Sequence, residues 1–331
     1  MSSGCSAPCF YRVWLRVIFS LKILMCPKPL YRANLNSLGS GWRPSGQGGD
    51  HFNEKVSSLT ILQILLLLSL GIGTGLIAGI LGIGGGMIMV PFLGILFTSF
   101  QFPQEHILHM SIATAMSTIF FTSIASVIAQ QKKKMIRWDV VLALAPGIIF
   151  GGILISISIF SALKGPMLTV VFVAFQLFTA FQMLANKKPK PSRVLPGRLG
   201  LFGAGSCIGG LSSLVGAGGG FISVPFMTWC NVPIHYAVAT SSALGFPIAL
   251  ASSIGYVVSG MQIDNLPPYS FGFIYLPALL CISAMSMLSA PIGVRISHRL
   301  HHVHLRRMFA CVLILIASYM LFKAFGTTAF H

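Results

Sequence analysis

Carboxylates are nearly absent from this 331-residue chain. Asp and Glu together number five, against 22 Lys and Arg, so only 8% of residues are charged. A soluble domain usually carries about 25% charged residues to cover its surface. Here 55% are hydrophobic and the mean hydropathy is +0.84, so lipid rather than water must solvate most of the molecule. A soluble enzyme is excluded. The five acids, Asp50, Glu54, Glu105, Asp139 and Asp264, fall in the N-terminal tail, in loops or at the ends of apolar runs. Cation and proton pumps commonly hold ionisable groups at mid-membrane, so a bare cation pathway is disfavoured.

Other absences narrow the chemistry. The seven cysteines are odd in number and form no C-x-x-C, against a disulfide framework or structural zinc. Four of them, Cys207, Cys230, Cys281 and Cys311, sit in apolar runs as small apolar residues. No glycine run ends in Lys-Ser or Lys-Thr, and none is a spaced G-x-G-x-x-G after a strand, so nucleotide binding is not indicated. No cofactor and no metal are expected.

What the chain does have is ten apolar runs, at 58–80, 86–100, 107–130, 139–160, 166–185, 199–216, 219–230, 235–259, 271–293 and 305–325. A full crossing needs about 20 apolar residues; 86–100 and 219–230 fall short. The net charge of +17 is a matter of topology, not nucleic acid. Thirteen of the fifteen basic residues beyond the tail form three clusters, at Lys132–Arg137, Lys187–Arg198 and Arg295–Arg307. With ten crossings all three face one side, which the positive-inside rule makes the cytoplasm. Lys164 and Lys323 lie at the opposite ends. Residues 1–57 carry seven basic residues and oppose this orientation, so they read as a disordered or non-native extension.

The chain repeats itself. Leu81 to Leu93 (LGIGGGMIMVPFL) returns at Val215 to Met227 (VGAGGGFISVPFM), an offset of 134, and His109 to Thr114 (HMSIAT) returns at His235 to Thr240 (HYAVAT), an offset of 126. The expected fold is therefore all-α and polytopic, with two five-segment repeats, 58–185 and 199–325, joined by a basic cytoplasmic linker 186–198 and followed by a tail 326–331. Five crossings per repeat invert one copy against the other. The loop charges agree: the basic loop after segment three has a counterpart with Asp264 and no Lys or Arg, while the loop after segment four holds only Lys164 and its counterpart, with the start of segment ten, four arginines.

Gly84, Gly85 and Gly86, like Gly218, Gly219 and Gly220, open the two short segments, with Pro91 and Pro225 five residues beyond. Each glycine costs a helix about 1 kcal/mol against alanine. Short, Gly/Pro-interrupted segments at matching positions of two halves point to a transporter's binding site, and a helix starting there offers N–H groups and a positive dipole end to an anion. The competing reading is close helix packing, which accounts for Gly71, Gly75, Gly79, Gly147 and Gly151. Candidate hydroxyls are Ser111, Thr114 and Ser117 in the first half and Thr240, Ser241 and Ser242 in the second, against back-bonding to the helix. His109 and His235 are repeat-related and read either as proton or gate residues or as interfacial structural histidines. His298, His301, His302 and His304 read as a solvated loop cluster.

The paired G-x-G-G-G-x-x-x-x-P blocks, the A-T-S-S run from Ala239 and the GVRISHRL stretch from Gly293 resemble the TauE/SafE family of sulfite and organosulfonate exporter-like permeases. The resemblance covers about residues 58–325; the tail has no place in it, and the first half reads Ala113-Thr114-Ala115 where the second has Ala239-Thr240-Ser241. It implies a secondary permease of a small anion, sulfite or a related sulfur anion, in the cytoplasmic (inner) membrane. The expected partners are that anion and membrane lipid, with a homodimer as the assembly and no nucleic acid. A permease for a short carboxylate, or a membrane enzyme acting on a lipid or thiol, are the alternatives.

Overall fold

The computed structural model describes residues 61–326 apart from 83, 161, 164, 186–195, 264–265 and 298–301. The extension 1–57, most of the linker, the last five residues, Asp264 and the side chains of the histidine cluster lie outside the described residues.

Each apolar run yields one helix. In chain order these are α1 (Ile61–Leu81), α2 (Gly86–Ser99), α3 (Ile107–Gln131), α4 (Trp138–Ser158), α5 (Gly165–Ala185), α6 (Arg198–Val215), α7 (Gly220–Trp229), α8 (Ile234–Gly260), α9 (Leu276–Ser297) and α10 (His302–Gly326). Seven of them are long and apolar enough to cross a membrane. The short helices α2 and α7 are not, and the apolar stretch of α10 runs only from Ala310 to Phe322. Large apolar side chains such as Leu142, Phe181 and Leu315 stay exposed, as expected of helices whose outer faces meet lipid.

One element departs from the sequence expectation. The ninth apolar run does not start as helix: Ser270–Phe271 and Ile274–Tyr275 form a small antiparallel hairpin, β1–β2, before α9. Pro267 and Pro268 precede it and Gly272 turns it at φ 58, so the backbone cannot be helical there. Phe273 and Tyr275 are buried, which explains the apolar reading.

Helix pairing follows a rule. The most extensive contacts join α1 to α9 and α4 to α6, followed by α4–α8, α3–α9, α3–α8 and α5–α10, with α2 on α3 and α7 on α8. Exchanging α1–α5 for α6–α10 maps this set onto itself. The match extends to residues. Gly71 of α1 lies against the Ile282 carbonyl of α9, and Gly205 of α6 against the Leu144 carbonyl of α4; Gly75 meets Ser286, and Gly209 meets Ile148. The glycines are 134 residues apart and their partners 138. A Cβ on Gly71 would stand 2.7 Å from the Ile282 oxygen. Glycine is required there because, in lipid, small residues that let backbones touch drive helix association. The most buried helices, α3 and α8, pack against each other, and Phe120 and Phe246, 126 residues apart, meet with ring centroids at 4.9 Å.

Candidate functional site

Both short helices begin at a left-handed glycine. Gly85 (φ 70) precedes α2 and Gly219 (φ 76) precedes α7, and neither helix start has a side-chain cap. A side chain at such a φ costs about 1–2 kcal/mol. The Gly85 carbonyl accepts the N–H groups of Ile88 and Met89, and the Gly219 carbonyl those of Ile222 and Ser223. The N–H groups of Gly86 and Met87, and of Gly220 and Phe221, have no acceptor among the described residues. Each break thus leaves two donors at the positive end of a helix dipole.

The two breaks meet. A Cβ on Gly84 would lie 3.0 Å from the Cα of Gly218, and Gly86 backs onto the Gly216 carbonyl. Beside this contact is a cavity of about 10 Å³, the room one water needs. Its wall comes from the end of α1 (Ala78, Gly82), both breaks (Gly84, Gly218), α3 (Ile119, Thr122, Ser123, Ser126) and α8 (Ser241, Ser242, Gly245). No charged residue is among the described residues that line it.

Four of its five hydroxyls already spend their hydrogens. Ser123 Oγ donates to the Phe120 carbonyl (2.9 Å), Ser242 Oγ to that of Val238 (3.2 Å) and Ser241 Oγ to that of Gly82 (3.1 Å). Thr122 Oγ1 has the Thr118 carbonyl at 3.0 Å and Ser286 Oγ at 2.7 Å. Only Ser126, buried at 3% exposure, makes no side-chain hydrogen bond.

The cavity is one-sided. At the repeat offsets, Thr122 corresponds to Ile248, Ser123 to Ala249, Ser241 to Ala115 and Ser242 to Met116. On that side Ile248 reaches Gly219: a Cβ there would collide with its Cδ1. Ser126 and Ala78 correspond to Ser252 and Ser212, both buried, so the mirror side keeps two hydroxyls and is otherwise filled by apolar side chains, while four of the five hydroxyls of the cavity wall have no polar counterpart.

The repeated threonines stand elsewhere. Thr240 Oγ1 accepts the N–H of Arg137, just before α4, and Thr114 Oγ1 accepts that of Tyr275, just before α9, both at 3.1 Å. Neither lines the cavity, nor do Ser111 and Ser117, which donate to the Ile107 and Ala113 carbonyls. Of the hydroxyls expected from sequence, the structure brings only Ser241 and Ser242 to the breaks, with Gly84 and Gly218. Pro91 and Pro225 lie inside α2 and α7, off the cavity wall. Sequence reasoning missed Thr122, Ser123 and Ser126, although Thr118, Thr122 and Ser126 recur every four residues and so mark one face of α3.

The related histidines differ. His109 is buried, its Nε2 donating towards the Phe160 and Leu163 carbonyls (3.2 and 3.0 Å), its ring stacked on Phe273. His235 is exposed at the start of α8. Neither lines the cavity. The Arg137–Asp139 ion pair (2.5 Å) lies at the exposed start of α4, and hydrogen bonding to that carboxylate raises the Arg137 guanidinium above its ordinary pKa.

Seven long apolar helices, with two short helices whose glycine starts meet, make a polytopic membrane protein. A sequence profile described as sulfite exporter TauE/SafE matches residues 67–320; the chain belongs to that family. It is 32% identical over 261 residues to a "probable membrane transporter protein" of Haemophilus influenzae, covering 78% of this chain and 98% of that one. A protein of the same description from Methanocaldococcus jannaschii is 29% identical over 271 residues, covering 78% and 97%. One from Bacillus subtilis is 26% identical over 224 residues, covering 60% and 80%. No solved structure matches.

Proposed function

We propose that this transporter moves a small anion, sulfite or a related sulfur-containing anion, by alternating access across the cytoplasmic membrane. The observation that carries the reading is the meeting of the two glycine breaks, each with two N–H groups that have no acceptor among the described residues, beside a cavity whose described lining has no carboxylate. Preorganised N–H groups at helix starts favour an anion. The binding residues in this reading are Gly84–Gly86 and Gly218–Gly220; Ser241 beside them has its hydroxyl hydrogen on the Gly82 carbonyl and so supplies no donor. Thr114 and Thr240 act through position, by fixing the starts of α9 and α4.

The exchange symmetry of the helix pairing supports two inverted halves, and the swap of basic loops between the repeats supports the same inversion. A cavity with room for one water cannot hold an anion of four heavy atoms, so this state is closed and the halves must part for substrate to reach the breaks. The test is sulfite flux into liposomes carrying the purified protein. Flux above that of empty liposomes, lost on substituting Gly84, supports the reading; absence of flux for sulfite, thiosulfate and short carboxylates alike refutes it.

A further inference from the structure

We infer that the one-sided cavity beside Gly84 and Gly218 is the site of a small monovalent cation of the sodium class, bound together with the transported anion. This rests on the anion-transporter reading and adds the coupling ion to it.

The wall chemistry selects the sign of charge. Because Thr122, Ser123, Ser241 and Ser242 have hydrogen-bond acceptors for their hydroxyl hydrogens, what they can offer a guest is oxygen lone pairs. Ser126 makes no side-chain hydrogen bond among the described residues and borders the cavity at 3% exposure. A guest in the cavity would give that hydroxyl a partner. The C-terminal end of α1, the negative end of its dipole, also reaches the cavity through Gly82. An anion would find a single spare hydroxyl donor here. A cation finds the hydroxyl oxygens of α3 and α8 beside a helix C-terminal end, and such ends take part in sodium coordination in other transporters.

Size selects among cations. About 10 Å³ accommodates one water-sized body, so a bare sodium or lithium ion fits without movement of the wall, whereas a bulky organic cation does not.

The missing carboxylate then gains a function. A lone cation in a neutral site has no counter-charge to offset its desolvation, so the site alone holds it weakly. An anion at the adjacent N–H groups of α2 and α7 supplies the counter-charge. Each ion therefore raises the other's affinity by the same factor. A neutral site of this kind couples two ions without any ionisable side chain at mid-membrane.

The test uses the purified full-length protein in detergent, with unfolding midpoints measured in sodium, potassium and choline chloride at equal ionic strength, with and without sulfite. We expect sodium to raise the midpoint specifically, and sulfite to shift it more in sodium than in choline. The sodium concentration for half-maximal effect should rise about tenfold in Ser126→Ala, the loss of one buried ligand, with the midpoint in choline near that of the wild type. Thr122→Val supplies a second variant with the same expected weakening. Identical midpoints in the three salts, or unchanged sodium titration in both variants, overturn the cation site. A sulfite shift equal in sodium and choline also overturns it while leaving the anion reading intact. A sodium shift with no response to sulfite, thiosulfate or acetate overturns joint binding and the anion reading together.

Discussion

Thr240 Oγ1 accepts the backbone N–H of Arg137 at 3.1 Å, so a helix of the second half fixes the start of α4 in the first. Thr114 returns the favour by holding Tyr275 at the start of α9. Two repeats joined in this way cannot be separate domains, because each completes the other's loop.

The first prediction concerns these anchors. Thr114→Val and Thr240→Val keep the side-chain shape but leave a buried N–H unpaired, which costs about 1–3 kcal/mol. Both should lower the thermal midpoint while anion affinity, measured on folded protein, stays near the wild type. Weaker affinity with unchanged stability would mean that the threonines touch substrate.

Glycines at the break and in a helix face should respond in opposite ways. Ala at Gly84 meets a φ of +80 and the Gly218 backbone at 3.0 Å, so Gly84→Ala should lose flux while the protein still inserts and runs as a single species on size exclusion. Gly73 in α1 has open space around a Cβ; Gly73→Ala should keep flux and gain up to about 1 kcal/mol of helix stability.

One-sidedness makes mirror substitutions unequal. Thr122→Val should reduce sulfite flux about tenfold through loss of one buried polar contact. Ile248→Val, its counterpart at the repeat offset, trims a plug and should leave flux within about twofold. Equal losses at both positions would restore a symmetric site.

Topology can be read by labelling. With the native cysteines replaced by alanine, Lys133→Cys in the basic loop after α3 should react with an impermeant thiol reagent only from the cytoplasmic side. Gln262→Cys, in the corresponding loop after α8, should react only from the opposite side. Labelling of both from one side would remove the inversion.

The helices were legible in sequence because glycine, proline and charge punctuate the apolar runs; α1 to α8 begin within three residues of those runs. The hairpin at Ser270–Tyr275 was not, since buried aromatics in a short strand have the same composition as a membrane helix. The paired breaks were also legible, as both copies keep the glycine triplet. The cavity wall was misread for a physical reason. Repetition marks what both halves do alike, and Thr114 and Thr240 are alike because they anchor loops. A single polar cavity needs the halves to differ, so its hydroxyls at Thr122 and Ser123 have no polar partner at the repeat offset. Searching for matched hydroxyls selected the scaffold, and of the wall only Ser241 and Ser242, which follow a matched threonine, were named in advance.

The central claim is that the meeting of the two breaks carries an anion across the membrane. Its most direct test is sulfite uptake by liposomes holding wild-type protein or Gly84→Ala at matched incorporation. Uptake by the wild type that saturates with sulfite and disappears in the variant is the result this account predicts. Equal uptake by both proteins would contradict it.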